Sequence, residues 1–529
     1  MRQKLIPCFV AAALVFTGAF GASLLTADPT FAGKATPATD KNTNVPAVPR
    51  AIPNLIPYHK FDPPKAKDFD LKNLTISGDM RVRPEFRSKG GFGVGKNPVT
   101  QPNGKQKFQN ADNQSTFFTQ QLIRLGFNYD ISPDVVFFVQ PQVSHNWGTT
   151  DPDGGSGGIN PNGTGSDLFL RQGFMLVRNL LTPNLDLKAG RQLMVWGNHR
   201  IFGHFDWNNV GFAFDGVTLR YNHAKVPVEL GWLRVAEGNC ANSAGGCGVA
   251  TPSADTYDSD IWFVRLPMKL AGIAIEPAWI FEDGGASGQS GATGASIQGG
   301  SPPGGQPQNQ SRHTVGGRIA TKKGIVDVTG EGYWQFGSLG PSSVNNGNRN
   351  ERINALALHL DAGVTLSVPM QPRIGAEINY ATGDGSCNAA KGNKCGGTFS
   401  QLFPTNHIHF GYMDRMSWQN MLTYGGNLQL RPTKSSHFEI GGHIMRLANE
   451  ADNWYGANQA VFKRTPAGNS EKSLGGEIDV VYTLFFQGNK VAWQIGYGHF
   501  FAGDYLTKND VGGATDDQNW GYTQLWINF

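Results

Sequence analysis

Residues 74–87 read Leu-Thr-Ile-Ser-Gly-Asp-Met-Arg-Val-Arg-Pro-Glu-Phe-Arg, and their alternation is where the fold is decided. Leu74, Ile76, Met80, Val82 and Phe86 fall on one face; Thr75, Ser77, Asp79, Arg81, Arg83, Glu85 and Arg87 fall on the other, as strand geometry of period two requires. A single strand with one greasy and one charged face suits a soluble sandwich as well as a membrane barrel, so the reading has to be repeated along the chain. Alternating segments begin near residues 74, 116, 135, 167, 185, 215, 227, 259, 273, 313, 325, 353, 373, 421, 436, 473, 490 and 520, eighteen in all.

The connections between these segments alternate as well. Tight turns (Ser132 to Asp134, Thr182 to Asn184, Ala224 to Val226, Ala271-Gly272, Lys323-Gly324, Pro369 to Pro372, Pro432 to Ser435, Gln487 to Asn489) interleave with longer Gly/Asn/Ser-rich loops, eight of the first kind and nine of the second. A soluble sheet protein has no reason to alternate its connection lengths, whereas an outer-membrane barrel has short periplasmic turns, long external loops and an even strand number. The expected fold class is therefore all-β, a transmembrane antiparallel β-barrel of about 18 strands over 74–529. Aromatics near strand ends on the apolar faces, Trp147, Trp279, Phe281, Trp334, Tyr380 and Trp493, suit interfacial girdles contacting outer-membrane lipid.

Composition agrees. Of 529 residues only 16% are charged, against roughly 25% in soluble domains, and 69 are Gly. Beyond the N-terminus no run approaches the roughly 20 apolar residues of a membrane helix, which excludes a helical membrane protein. A net charge of +4 without a dense basic run gives no reason to expect nucleic acid as a partner.

Arg2 and Lys4 precede an apolar run from Leu5 to Leu25, and Thr30-Phe31-Ala32 places small residues three and one positions before a cleavage point, so 1–32 reads as a removed export signal. Residues 33–73 hold seven prolines and little periodicity, which suits an extended periplasmic tail or plug, with room for a periplasmic partner. With Cys8 removed in the signal, Cys240 with Cys247 and Cys387 with Cys395 form two local pairs in Gly/Asn/Ala-rich loops, a spacing that suits small-loop disulfides in an oxidising compartment. The chain closes on Thr523-Gln524-Leu525-Trp526-Ile527-Asn528-Phe529, an alternating strand whose terminal Phe529 resembles the signal read by the barrel assembly machinery.

Several stretches carry a family resemblance. They are Gly190-Arg191-Gln192, Trp196-Gly197-Asn198-His199-Arg200-Ile201-Phe202-Gly203, Phe205-Asp206-Trp207-Asn208-Asn209, Phe214-Asp215-Gly216-Val217, Tyr380-Ala381-Thr382-Gly383-Asp384, Phe399 to His407 leading to Tyr412-Met413-Asp414, and Gly496 to Tyr505. Together they resemble the alginate-export family of outer-membrane porins, with Leu402-Phe403-Pro404-Thr405-Asn406-His407 the most specific match. The resemblance implies a monomeric eighteen-strand barrel in a Gram-negative-type outer membrane, whose founding members pass an anionic polyuronate outward through an arginine-rich pore. The chain departs from the family pattern at Asn198-His199, where acidic residues are expected, and in its Pro-rich tail.

With the face opposite the apolar stripe as lumen, the first six strands contribute Arg81, Arg83, Arg87, Arg124, Arg171, Lys188 and Arg220 against Asp79, Glu85 and Asp186. Strands ten to eighteen contribute Arg318, Arg373 and Arg431 against Asp327, Glu331, Asp361, Glu377, Glu439, Glu477 and Asp479. The expectation is a field across the pore, basic on one wall and acidic on the other, that guides an anionic or polar solute; Arg200 joins the candidate path. Mutually satisfied lumen ion pairs are the alternative, and Arg191, which parity points at lipid, signals a register slip. The longest loop, Gly385 to Asn420, leaves two readings open: an inward fold that narrows the channel, with Phe403, Pro404, Asn406, His407, Tyr412 and Asp414 as the constriction, or an external lid.

Neither His407, His409 and Asp414 nor the acidic 504–517 loop has the spacing of a metal site, and no cofactor is expected. No Gly-x-Ser-x-Gly elbow is present, so an enzyme is not expected. Two other functions stay open: a general small-solute diffusion porin, and a structural sleeve around a periplasmic redox partner. The export reading makes a direct prediction: intact-mass measurement of the chain purified from outer membranes gives a mature N-terminus at Gly33.

Overall fold

The computed structural model describes residues 70–111, 115–147, 168–236, 259–286, 308–339, 351–385, 396–512 and 515–529. The expected signal at 1–32, nearly all of the tail at 33–73, and Cys240, Cys247, Cys387 and Cys395 lie outside them.

Eighteen antiparallel staves close into one barrel. They are β1 (Leu74–Arg87), β2 (Thr116–Ser132), β3 (Val135–Asn146), β4 (Leu168–Val177), β5 (Leu185–Gln192), β6 (Phe214–Tyr221) and β7 (Val228–Ala236). Next come β8 (Ser259–Arg265, continued by Met268–Leu270), β9 (Ile273–Ala286), β10 (Gln308–Lys323), β11 (Val326–Leu339), β12 (Glu351–Thr365) and β13 (Arg373–Ala381). The wall ends with β14 (Met421–Leu430), β15 (Ser436–Leu447), β16 (Ser473–Phe486), β17 (Val491–Ala502) and β18 (Gln518–Asn528). Each stave pairs with its sequence neighbours, and β1 pairs with both β2 and β18. The expected starts fall within a few residues of these bounds; β10 begins five residues earlier than expected.

Closure is made at the C-terminus. Asp79 to Val82 face Asn528 to Leu525, and Phe529 and Gly78 exchange backbone N–H···O bonds of 3.0 Å in both directions. A Cβ on Gly78 would stand 2.6 Å from the Phe529 ring, so glycine is what lets the terminal ring lie over the seam.

The wall is inside out relative to a soluble protein. On β1, Ile76 and Phe86 are 53% and 40% exposed while Arg81, Arg83 and Glu85 are fully buried. The same holds round the ring for Phe137, Met175, Ile319, Leu360, Ile378, Ile444, Ile478 and Ile495, all exposed. Exposed apolar surface on this scale needs a lipid solvent. A buried aromatic core does exist, but it sits within the barrel, built from loop residues such as Phe202, Phe205, Phe212, Phe399, Phe403 and Trp418.

Two local features correct or explain the parity reading. At β3/β4, Gln140 pairs with Gln172 and Pro141 with Leu170, so Arg171 is the extra residue of a bulge that turns its side chain inward. At β5/β6 the register is unbroken: Arg191 pairs with Asp215, two residues from the exposed Val217 and so on the same face, and Arg191 keeps the outward face that parity assigns. Its charge is met by Asp215 at 2.9 Å and by the Leu170 carbonyl at 2.8 Å.

Replacing Leu358, near the middle of β12 and 47% exposed, with Arg is expected to destabilise the barrel by roughly 2–4 kcal/mol, read by denaturant unfolding in liposomes.

Candidate functional site

Two loop-side connections turn into the barrel. The first, 193–213, joins β5 to β6; the described part of the second, 396–420, leads into β14. Their parent strands lie almost half the ring apart, and the segments meet across the lumen. Phe202 and Phe403 form a parallel bridge, with Gly203 N–H donating to the Phe403 carbonyl (2.8 Å), Phe403 N–H to Ile201 (2.9 Å) and Thr405 N–H to His199 (2.9 Å). A Cβ on Gly203 would lie 2.2 Å from Thr405 Oγ1, so this approach requires glycine. The segments carry left-handed backbone at His199, Phe205, Leu402 and Asp414, a conformation costly for side chains of this kind and sustained by the surrounding packing.

The expected basic residues converge on the first segment. Arg81 donates to the carbonyls of Asp206 (2.6 Å) and Trp207 (3.0 Å), and to Asn209 Oδ1 (3.2 Å). Arg83 donates to Trp207 O (2.7 Å), lies 3.7 Å above the Trp207 ring, and pairs with Glu85, which also binds Arg87. Arg124 bridges Asp79 and Asp206, both at 2.8 Å, and Arg171 reaches the other Asp206 oxygen at 2.8 Å. Burial alone would push the Asp206 carboxyl up; Arg171 and Arg124 outweigh it and hold the group well below the ordinary carboxylate range. Four arginines, Arg83, Arg87, Arg124 and Arg171, thus meet three carboxylates, Asp79, Glu85 and Asp206, while Arg81 is held by carbonyls and Asn209. Lys188 is apart from this group, 4.0 Å above the Phe174 ring, and Arg220 pairs with Glu229 at 3.5 Å.

The other wall is acidic. Arg200, carried on the first segment, crosses to Glu331 (3.3 Å), Glu377 (3.6 Å) and His359 (3.1 Å). Glu477 accepts the Met413 N–H (2.8 Å) and Asp479 the Tyr412 N–H (3.2 Å), anchoring the second segment. Tyr412 also donates to Glu439 (3.4 Å), Asn406 to the Ala457 carbonyl (2.8 Å), and His407 stacks on Trp207 at 3.7 Å while meeting Asp414 at 3.1 Å. Arg318 is paired with Glu276 (2.9 Å), and Arg373 with Asp327 (2.6 Å) and Asp361 (2.8 Å).

Several residues escaped sequence reasoning. Asp206 and Trp207 stood in a matched stretch without a role, because a loop has no parity to say where it points. Arg265, Glu276 and Glu282 lie on β8 and β9, strands whose lumen faces alternation could have revealed, and Arg312, beside Glu282, fell just before the expected start of β10.

Comparison with known proteins adds the lineage. The family described as alginate export matches residues 73–520. The fold is similar to the crystal structures of Pseudomonas aeruginosa OccK9 (OpdG), at 11% identity and TM-score 0.50, covering 87% of this chain and 99% of that one, and of Acinetobacter baumannii OccAB2, at 9% identity and TM-score 0.50, covering 86% and 98%. At such identities the likeness concerns fold alone. No curated protein matches the chain significantly.

Asp206→Ala leaves Arg124 and Arg171 buried without their shared carboxylate, and is expected to weaken docking of the 193–213 segment by about 3–5 kcal/mol. The measurement is new tryptic cleavage after Arg200 in a barrel that otherwise keeps its heat-resistant mobility. Because the folded carboxyl titrates below its unfolded value, this contribution is complete above the ordinary carboxylate range and is lost only as pH falls through the depressed folded value.

Proposed function

The chain belongs to the alginate-export family and is an outer-membrane barrel channel of a Gram-negative-type cell, and from that premise we propose that it passes anionic or polar solutes along the arginines of β1, β2 and β4. The observation that supports this reading most is the excess of cations on the inner side of this wall, where Arg81, Arg83, Arg87, Arg124 and Arg171 stand against Asp79, Glu85 and Asp206 beneath the 193–213 segment. Low-dielectric walls focus such a field and raise the local concentration of anions. The residues act as guides: conduction needs binding weak enough to release, so no single arginine is indispensable.

The two inward segments supply the constriction, with Phe403, Pro404, Asn406, His407, Tyr412 and Asp414 on one side and Arg200 to Trp207 on the other. A pore crossed by a hydrogen-bonded bridge favours small anions and polar solutes at rest; passage of a polyuronate such as alginate requires the bridge between Phe202 and Phe403 to part. The same filling by the chain's own segments weighs against a sleeve around a redox protein.

Single-channel recording in a planar bilayer tests this. The full chain is expected to show anion preference under a salt gradient, and replacing Arg81, Arg83 and Arg124 together with Gln to reduce it severalfold. Unchanged selectivity would overturn the arginine path. Block of the current by added polyuronate would extend the solute range to the polymer, and indifference would restrict it to small solutes.

A further inference from the structure

Two more connections close the external end of the barrel, and one side chain joins them. Residues 88–111 follow β1, and residues 448–472 link β15 to β16. The second of these rests on the 396–420 segment: Asn406 donates to the Ala457 carbonyl (2.8 Å), Gln459 to the Leu402 carbonyl (2.8 Å) and the Trp454 indole to the Arg415 carbonyl (2.8 Å). The first rests on both. The fully buried Phe92 ring lies 5.6 Å from Trp454, 5.9 Å from Phe462 and 5.1 Å from Phe500, in the same apolar cluster as Phe202 and Phe403. The constriction thus lies under two layers, and the lower one cannot rise while the upper is pinned to it.

Lys463 does the pinning. It is only 2% exposed, and its ammonium donates to the carbonyls of Val94 (2.7 Å), Gly91 (2.8 Å) and Gly95 (3.3 Å), one acceptor for each proton. The loop wraps this ammonium with left-handed backbone at Lys89, Phe92 and Gly93. Arg415 adds a bond to the Gly90 carbonyl (3.3 Å), and the Arg464 N–H one to the Lys96 carbonyl (2.9 Å).

This joint differs in kind from those beneath it. Arg124 and Arg171 share Asp206 in a buried ion pair, and parting that pair strands charge in the interior. Lys463 is held by neutral carbonyls of a loop at the external surface, so when the loop lifts, water takes over both the ammonium and its acceptors. The outer layer is therefore the one that yields first.

We propose that the 88–95 loop is an external lid on the constriction, that Lys463 is its latch, and that the lid lifts before the bridge between Phe202 and Phe403 parts. The inference rests on the reading of the two inward segments as the constriction and adds the order in which the channel opens.

The test is single-channel recording of the full chain in a planar bilayer, paired with limited trypsin digestion of the same preparation. Lys463→Met removes all three donors and is expected to give new cleavage after Lys89 and Lys96, in a barrel that keeps its heat-resistant mobility, with severalfold more frequent openings. The opposite variant, Lys96→Cys with Arg464→Cys, places a disulfide where these two residues already share a backbone hydrogen bond. It is expected to suppress openings severalfold until reductant is added, with the unaltered chain in the same reductant as control. Unchanged protection in Lys463→Met would overturn the latch, and cleavage after Lys96 without more openings would overturn the lid. Unaltered openings in the oxidised double variant would overturn the order of opening, and that variant keeps Lys463, so it tests the lid even where Lys463→Met fails to fold. Phe403→Ala reports on the constriction itself: unchanged conductance there overturns the constriction and the lid with it, whereas raised conductance there with unaltered gating in both latch variants overturns the lid alone.

Discussion

Hydrocarbon offers no hydrogen bonds, so every backbone N–H and C=O of a wall in lipid must find its partner within the wall. For an antiparallel sheet this leaves one solution, closure, and closure here rests on the pairing of β18 with β1 and the reciprocal bonds between Phe529 and Gly78. Once the ring is shut, the two faces of each strand have different solvents. The apolar face turns to lipid, and charged residues that would lie on the outside of a soluble sheet are gathered within, which is why Arg81, Arg83 and Glu85 are buried while Ile76 and Phe86 are exposed.

A lumen lined with that much charge cannot be filled by apolar side chains, and the chain fills it with its own backbone. The 193–213 segment turns carbonyls and Asp206 toward the arginines, and the 396–420 segment turns N–H groups toward Glu477 and Asp479. Each segment thus presents to each wall the polarity that wall lacks. Their apolar sides meet in the middle, where Phe202, Phe212 and Phe403 pack together. The external end is tied down in the same manner: the Lys463 ammonium is bound by the carbonyls of Gly91 and Val94, joining two further loops.

Much of this architecture was legible beforehand. The alternation of Leu74 to Arg87 and the regular exchange of short and long connections required only local rules, and those rules hold even at Arg191, where the suspected slip is an outward ion pair with Asp215. For the Gly385 to Asn420 connection the sequence left an inward fold and an external lid both open, and its described part, 396–420, takes the inward course. The course of 193–213 was not legible: its residues were visible, but nothing in a loop's sequence states which solvent it will enter. Nor could parity place Arg171 securely, since its orientation depends on a bulge set by the neighbouring strand.

Strand number, facing and compartment follow from sequence alone, because period-two patterning and turn chemistry operate over a few residues at a time. The site belongs to the tertiary structure. Asp206 meets Arg124 across 82 positions of sequence and Arg171 across 35, and Gln401 reaches the Arg200 carbonyl across 201. Such contacts exist only once the barrel has closed and excluded enough water for a carboxylate, a carbonyl or a ring to become the best available partner for a buried charge.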